Sequence, residues 1–248
     1  SPFLMDENVL HTVLEEYQKL IDSDREKALE EALRIEAIAR EKKSETLLAK
    51  ALLLSGRIYY RGTLYEKSLE KNLEALPIFI ALGLQSEEAD CRNLIAVCQY
   101  KYGDFAESLK NAFESLKITR KTKNRLLEST CCNTIGNSYL HLQEFDNALD
   151  YLNLALKIKD ELLDEKGRAM ILINLGNVYF EKREYEHCEK YYSEALEIKQ
   201  KMQDWQGILI CYNNLGNLAA DYHKNLQKAL EYYDKSHALS IEHNFDYY

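Results

Sequence analysis

The side chains of this 248-residue chain best suited to chemistry are six cysteines and six histidines, and their spacing decides what they can do. Structural zinc sites use thiolates in close pairs such as Cys-x-x-Cys, and zinc hydrolases set His-Glu-x-x-His on one helix face. Neither arrangement occurs. Cys91, Cys131 and Cys211 instead stand at multiples of 40 residues from one another, with Ile171 in the remaining slot, so cysteine here reads as a small core residue. His187, Cys188 and Glu189 are three potential ligands in succession, but successive residues on a helix point apart. No glycine-rich phosphate loop and no Gly-x-Ser-x-Gly elbow is present, and nothing singles out two of the many carboxylates as an acid/base pair. The expectation is a chain without catalysis, metal or cofactor.

Amides carry a different kind of chemistry. Asn133 and Asn137, and likewise Asn213 and Asn217, are four residues apart, which puts each pair on one face of a helix. A carboxamide both donates and accepts, and so suits an extended peptide backbone; it also suits a bond to a neighbouring helix. Lys117, Arg120, Lys121, Lys123 and Arg125 form a basic run, which a helix C-terminus favours through its dipole. Nucleic acid is not the expected partner, because 41 acidic against 32 basic residues give a formal charge of −9 and a repulsive long-range field. The same field disfavours an anionic membrane surface.

The elements that position these groups follow from the apolar residues. The sequence has 39 Leu against 4 Val, with two Pro and nine Gly, a choice that favours helices joined by short turns. No apolar run is long enough to span a bilayer, and the first residues lack the basic start and apolar stretch of a secretory signal. With unpaired thiols, this suggests a cytoplasmic location.

A period of 40 residues runs through the chain. Gly56, Gly136, Gly176 and Gly216 share a slot that Ala96 completes; Tyr65, Phe105, Phe145 and Tyr185 follow nine residues later, with Leu226 one residue late. Small residues recur at Ser68, Ser108, Ala148, Cys188 and Ala229, and again at Ala75, Ser115, Ala155, Ala195 and Ser236. Each unit shows two apolar helical faces around a polar turn, hence a helical hairpin, and one hairpin cannot bury both faces without stacked neighbours. The glycine slot lets two helices approach closely, and the aromatic at the start of the second helix is expected to fill the space that remains.

The pattern Leu175-Gly176, Tyr179, Cys188, Tyr192, Ala195 resembles the tetratricopeptide repeat, although the usual unit has about 34 residues. The resemblance implies an all-α fold, a right-handed superhelical solenoid of antiparallel helix hairpins. On that reading residues 1–43 are a divergent N-terminal repeat acting as a cap, 44–243 are five 40-residue hairpins, and 244–248 begin a truncated further helix. First helices are expected near 44–61, 84–101, 124–141, 164–181 and 204–221. Pro77 should bend or shorten the second helix that contains it.

The resemblance further implies a protein or peptide segment bound in a concave groove lined by first helices. Its exposed slots carry over to Asn93, Asn133 and Asn213, to Arg57, Asn137, Asn177 and Asn217, to Tyr60 and Tyr100, and to Arg61, Lys101 and His141. Such a groove begins basic, at Arg57, Arg61 and Lys101, and ends among carboxylates at Glu181 and Asp221. Forty-residue repeats of this kind resemble the arrays of bacterial signalling proteins, where they act as regulatory, sensory or dimerisation modules; a homodimer is a second partner arrangement. An adaptor or scaffold, and a receptor for peptide pheromones, are the other functions that the resemblance allows.

Overall fold

A computed structural model describes residues 6–243, which form α-helices joined by short turns. The helices are α1 (Glu7–Lys19), α2 (Arg25–Lys42), α3 (Glu45–Arg61), α4 (Tyr65–Leu82), α5 (Gln85–Lys101), α6 (Phe105–Thr122), α7 (Arg125–His141), α8 (Phe145–Glu161), α9 (Glu165–Glu181), α10 (Tyr185–Lys201), α11 (Trp205–Asp221) and α12 (Leu226–Glu242). Among the described residues there are no strands, and the fold is the all-α hairpin array of the solenoid class. The further helix expected from residue 244 lies outside the described residues.

Local chemistry sets the helix ends. Ser44, Asn124, Asp164 and Asp204 each accept a backbone N–H three residues on, which caps α3, α7, α9 and α11 at one recurring position. Each inter-helix turn from α2 onward contains one residue in the left-handed region. Gly83 and Gly103 fill two of these positions, but Lys43, Thr63, Lys123, Gln143, Leu163, Arg183, Gln203 and Lys224 fill the others. The turn before α12 is one residue longer than its counterparts, which accounts for the late arrival of Leu226. Pro77 does not shorten α4, which runs on to Leu82 and stops at the left-handed Gly83; the carbonyl it leaves unpaired belongs to Leu73, on the exposed side of the helix.

The chain divides into two compact units, residues 1–138 and 139–248, with the boundary inside α7. In unit 1 one cluster joins Leu10, Leu14, Ala28, Ala32, Ile35 and Leu47, and another joins Leu52, Ala75, Phe79, Cys91, Leu94 and Ile95. In unit 2 the core gathers Ala169, Leu172, Cys188, Tyr192, Ala195, Cys211, Leu215 and Leu218. Burying these side chains drives the stacking, at about 25 cal/mol per Å² of apolar surface.

The residue that fills the space at the glycine slot is not the one expected from the sequence. A methyl group on Gly176 would collide with the ring of Tyr192, and one on Gly216 would lie 2.6 Å from Cε1 of Tyr233. On Gly56 it would meet the amide of Asn72. The filler therefore sits in the middle of the second helix, and the aromatics that open it, Tyr65, Phe105 and Tyr185, pack instead on Tyr60, Tyr100 and Phe180 at ring separations of 5.7 to 5.8 Å. The reason is geometric: the two helices are in closest contact where their middles cross, and a side chain at the turn cannot reach that point.

Candidate functional site

Unit 1 contains a cavity of about 560 Å³ walled by α3, α5 and the start of α7. Tyr60, Leu94, Val97 and Leu127 give it apolar surface, and Arg57, Arg61, Glu87, Asp90 and Asn93 give it polar edges. A smaller cavity of about 160 Å³ adjoins it, sharing Arg57, Glu87 and Asp90 and adding His11, Glu15 and Lys50. The His11 imidazole is held below its usual pKa by burial and by the Lys50 charge, against the opposing pull of Glu7 and Glu15.

The charge of this region departs from the basic groove entrance anticipated from the sequence. Arg57 is ion-paired with Asp90, Lys50 approaches Glu87 at 3.9 Å, and Arg61 lies 3.9 Å from Asp22. The cavity is thus mixed in sign, because α5 turns carboxylates of its N-terminal half toward the cations of α3. Glu87 and Asp90 are the residues that the sequence reading missed. Their signal was present: they stand 37 and 33 residues after Lys50 and Arg57, one repeat less one or two helical turns.

Burial also separates the candidate residues. The slot three before the glycine is not an open surface: Leu53, Asn93 and Ile173 are all less than a tenth exposed, and Asn133 and Asn213 are half-buried. Asn93 is 5% exposed and its Oδ1 is buried without a hydrogen-bond partner. Tyr60 and Tyr100 have hydroxyl pKa values pushed up by burial, and Lys101 stands over the rings of Tyr65 and Tyr100 at 5.9 and 5.8 Å. Asn137 donates to Asn133 Oδ1 at 3.5 Å, the outer limit of a hydrogen bond.

In unit 2, His141 is exposed on the last turn of α7. Asn177 and Asn217 line a cavity of about 190 Å³ together with Phe180, Glu181, Tyr192 and Asn214. The Tyr192 hydroxyl donates to Asn177 Oδ1 and the Tyr233 hydroxyl to Asn217 Oδ1, each at 2.7 Å. The structure does not bring Asn213 into this cavity.

Residues that could have hinted at other chemistry have packing roles. All six cysteines are free and buried, and burial pushes the thiols up, to about 12 for Cys131, Cys188 and Cys211 and about 11 for Cys132. Among the described residues no group of three or more His, Cys, Asp or Glu side chains is placed to hold a metal ion. In the basic run, Arg120 and Arg125 both bond the buried carboxylate of Glu128, at 3.1 and 2.7 Å. No helix among the described residues is long and apolar enough to cross a membrane.

Comparison with known proteins places this architecture. The family model described as tetratricopeptide repeat matches residues 126–201 and 167–242. Among solved structures, the chain is similar to NprR in complex with its cognate peptide NprX, at 19% identity and a TM-score of 0.77, covering 96% of this chain and 69% of that one. It is similar to a Rap protein complexed with Competence and Sporulation Factor, at 16% identity and a TM-score of 0.74, covering 97% and 79%. It is also similar to BtubC (BKLC) from P. vanneervenii, at 19% identity and a TM-score of 0.71, covering 92% and 95%. At these identities the likeness concerns the fold. A search of curated proteins found no match.

Proposed function

The chain is a tetratricopeptide repeat protein, and from that premise we propose that it is a protein- or peptide-binding module whose unit 1 cavity takes an extended peptide segment. The observation that carries this reading is the buried, unpartnered Oδ1 of Asn93 beside an apolar wall of Tyr60, Leu94 and Val97. An unsatisfied buried acceptor costs about 1–3 kcal/mol, and a ligand N–H that supplies the missing bond recovers it. With a turn of the Asn93 carboxamide, a backbone N–H meets that oxygen while a neighbouring apolar side chain lies on Leu94 and Val97. An acidic side chain of the ligand is directed to Arg61, since Arg57 is already engaged by Asp90.

The solved neighbours support a peptide as ligand, two of them being complexes with a cognate peptide and with Competence and Sporulation Factor. We place the module in the cytoplasm as the regulatory or sensory part of a bacterial signalling protein. The test is fluorescence polarisation with a labelled set of positional-scanning decapeptides. Asn93→Leu is expected to weaken the selected binders about tenfold, and Arg61→Glu to remove a preference for acidic residues. Absence of binding by any peptide, or unchanged affinity in Asn93→Leu, overturns the reading.

A further inference from the structure

The hairpin of α11 and α12 departs from a device that three earlier hairpins share. Where the end of one second helix meets the next hairpin, charged side chains close the junction: Arg40 pairs with Glu74 at 2.8 Å, Arg120 with Glu128 at 3.1 Å, and Arg168 with both Asp160 and Glu194. The 40-residue register, with one residue added for the longer last turn, carries Asp160, Arg168 and Glu194 onto Gln200, Ile208 and Lys235. Ile208 is buried and the charged cluster is gone. In its place lies a cavity of about 320 Å³ walled by Trp205, Ile208, Tyr212 and Leu239. Trp205, the only tryptophan of the chain, stacks on His243 at 4.7 Å and is 38% exposed.

The rim of this cavity is charged in a particular order. Lys235 and Glu242, both exposed on α12, are seven residues apart, so they share one face at about 10 Å along the axis, with Ala238 and Leu239 between them. Lys235 stands over the rings of Tyr212 and Tyr232 at 5.8 and 5.7 Å, and neither Lys235 nor Glu242 has an ion-pair partner among the described residues. The two charges are equidistant from the midpoint between Ala238 and Leu239. A two-fold axis through that midpoint sets a second α12 antiparallel to the first and brings each Lys235 to Glu242 of the other copy.

We propose that α12 is a self-association surface, with two copies of the chain packed antiparallel across the cavity and joined by two Lys235–Glu242 pairs. A two-fold interface demands a patch of this kind, in which residue i meets j and j meets i. Ala238 is small and exposed, so the helices can approach closely. Trp205 lies at the Glu242 end of the cavity, and the axis turns it toward Lys235 and Tyr212 of the other copy, an aromatic face against a cation. A partner of one charge satisfies only one end of the rim, and an apolar small molecule satisfies neither; a second copy satisfies both. The surface is separate from the cavity of unit 1 and does not rest on the peptide-binding reading.

Sedimentation velocity and the emission of Trp205 are to be followed from about 1 to about 100 µM protein. The wild type is expected to pass from monomer to dimer in that range, with the emission shifting to the blue as the ring is covered. Lys235→Glu and Glu242→Lys each set like charges face to face and are expected to weaken the dimer about tenfold or more. Both side chains are on the surface, so the circular dichroism of the variants should match the wild type. Mixed in equal amounts, the two variants are expected to regain wild-type affinity, because one copy then carries two carboxylates against the two lysines of the other. That rescue is specific to two-fold pairing, and no folding defect imitates it. A wild type that stays monomeric, a dimer that neither charge reversal affects, or a mixture that associates no better than the single variants overturns the inference. If unlabelled decapeptides shift the Trp205 emission of a monomeric protein, the cavity belongs to a peptide segment and the dimer falls.

Discussion

Tyr192 fills the space over Gly176 and hydrogen-bonds the residue beside it, Asn177, at 2.7 Å, so that one side chain serves the packing and the orientation of a polar group at once. Two consecutive residues, Gly and Asn, are needed to receive it: the first because a Cβ would occupy the place of the ring, the second because the hydroxyl is buried. Gly176→Ala therefore sets two effects in opposition. Alanine gains about 1 kcal/mol of helix propensity, whereas overpacking a buried ring costs about 1–3 kcal/mol or more. The clash is with a buried ring packed into the unit 2 core, so the second effect wins. Gly176→Ala is expected to lower stability by about 1–2 kcal/mol in urea titration, and Gly176→Ala with Tyr192→Leu to regain part of it. A Gly176→Ala protein as stable as wild type would show that the ring moves aside freely.

The turns store a smaller, opposite effect. Leu163 has φ 54° and is 85% exposed, a branched apolar residue in a left-handed conformation that its Cβ resists. Leu163→Gly removes that strain and is expected to stabilise the fold by about 1 kcal/mol. The equivalent position Gly83, two repeats earlier, already has this solution. The check is the urea midpoint, which should rise; a fall would mean that the added freedom of the unfolded chain outweighs the strain.

The thiols give a prediction free of any ligand. Every cysteine is buried, and desolvation holds the thiolate form far from reach at neutral pH. An aromatic disulfide reagent is expected to modify none of the six in native buffer over minutes and all six in denaturant. Rapid native reaction of any one would place it on an opening segment.

How much of this was legible in advance depends on what repeats. The 40-residue register placed the first helices, because glycine, small and aromatic residues recur at fixed intervals and each marks a physical constraint. Register alone did not reveal which second-helix side chain meets the glycine. That slot holds Asn72, Tyr192 and Tyr233 in different hairpins, so it presents no common residue type to notice. The Arg57–Asp90 pair was hidden for a related reason: it joins different slots of neighbouring repeats and occurs once. Asn93 was found as a polar residue in the right slot, but its burial depends on how the helices on either side close over it.

A last consequence concerns acid stability. Lys159, 7% exposed, bonds Asp164 Oδ2 at 2.7 Å while Asp164 Oδ1 caps α9 through the Gly167 N–H; Lys199, Asp204 and Gly207 repeat the arrangement at α11. Burial alone would raise both aspartate pKa values, but the lysine and backbone hydrogen bonds outweigh it and hold them below the ordinary value near 3.8. A carboxylate depressed in the folded state contributes its full stability above the unfolded pKa and loses it as pH falls through the folded one. Each pair is thus expected to contribute about 1 kcal/mol at neutral pH, reduced because water reaches nearly a third of each carboxylate, and to lose it below about pH 4. Asp164→Asn retains a capping oxygen and removes only the charge. Urea midpoints should then separate wild type from Asp164→Asn and Asp204→Asn at pH 7 and converge toward pH 3. Parallel curves across that range would show that the caps, and not the ion pairs, carry the effect.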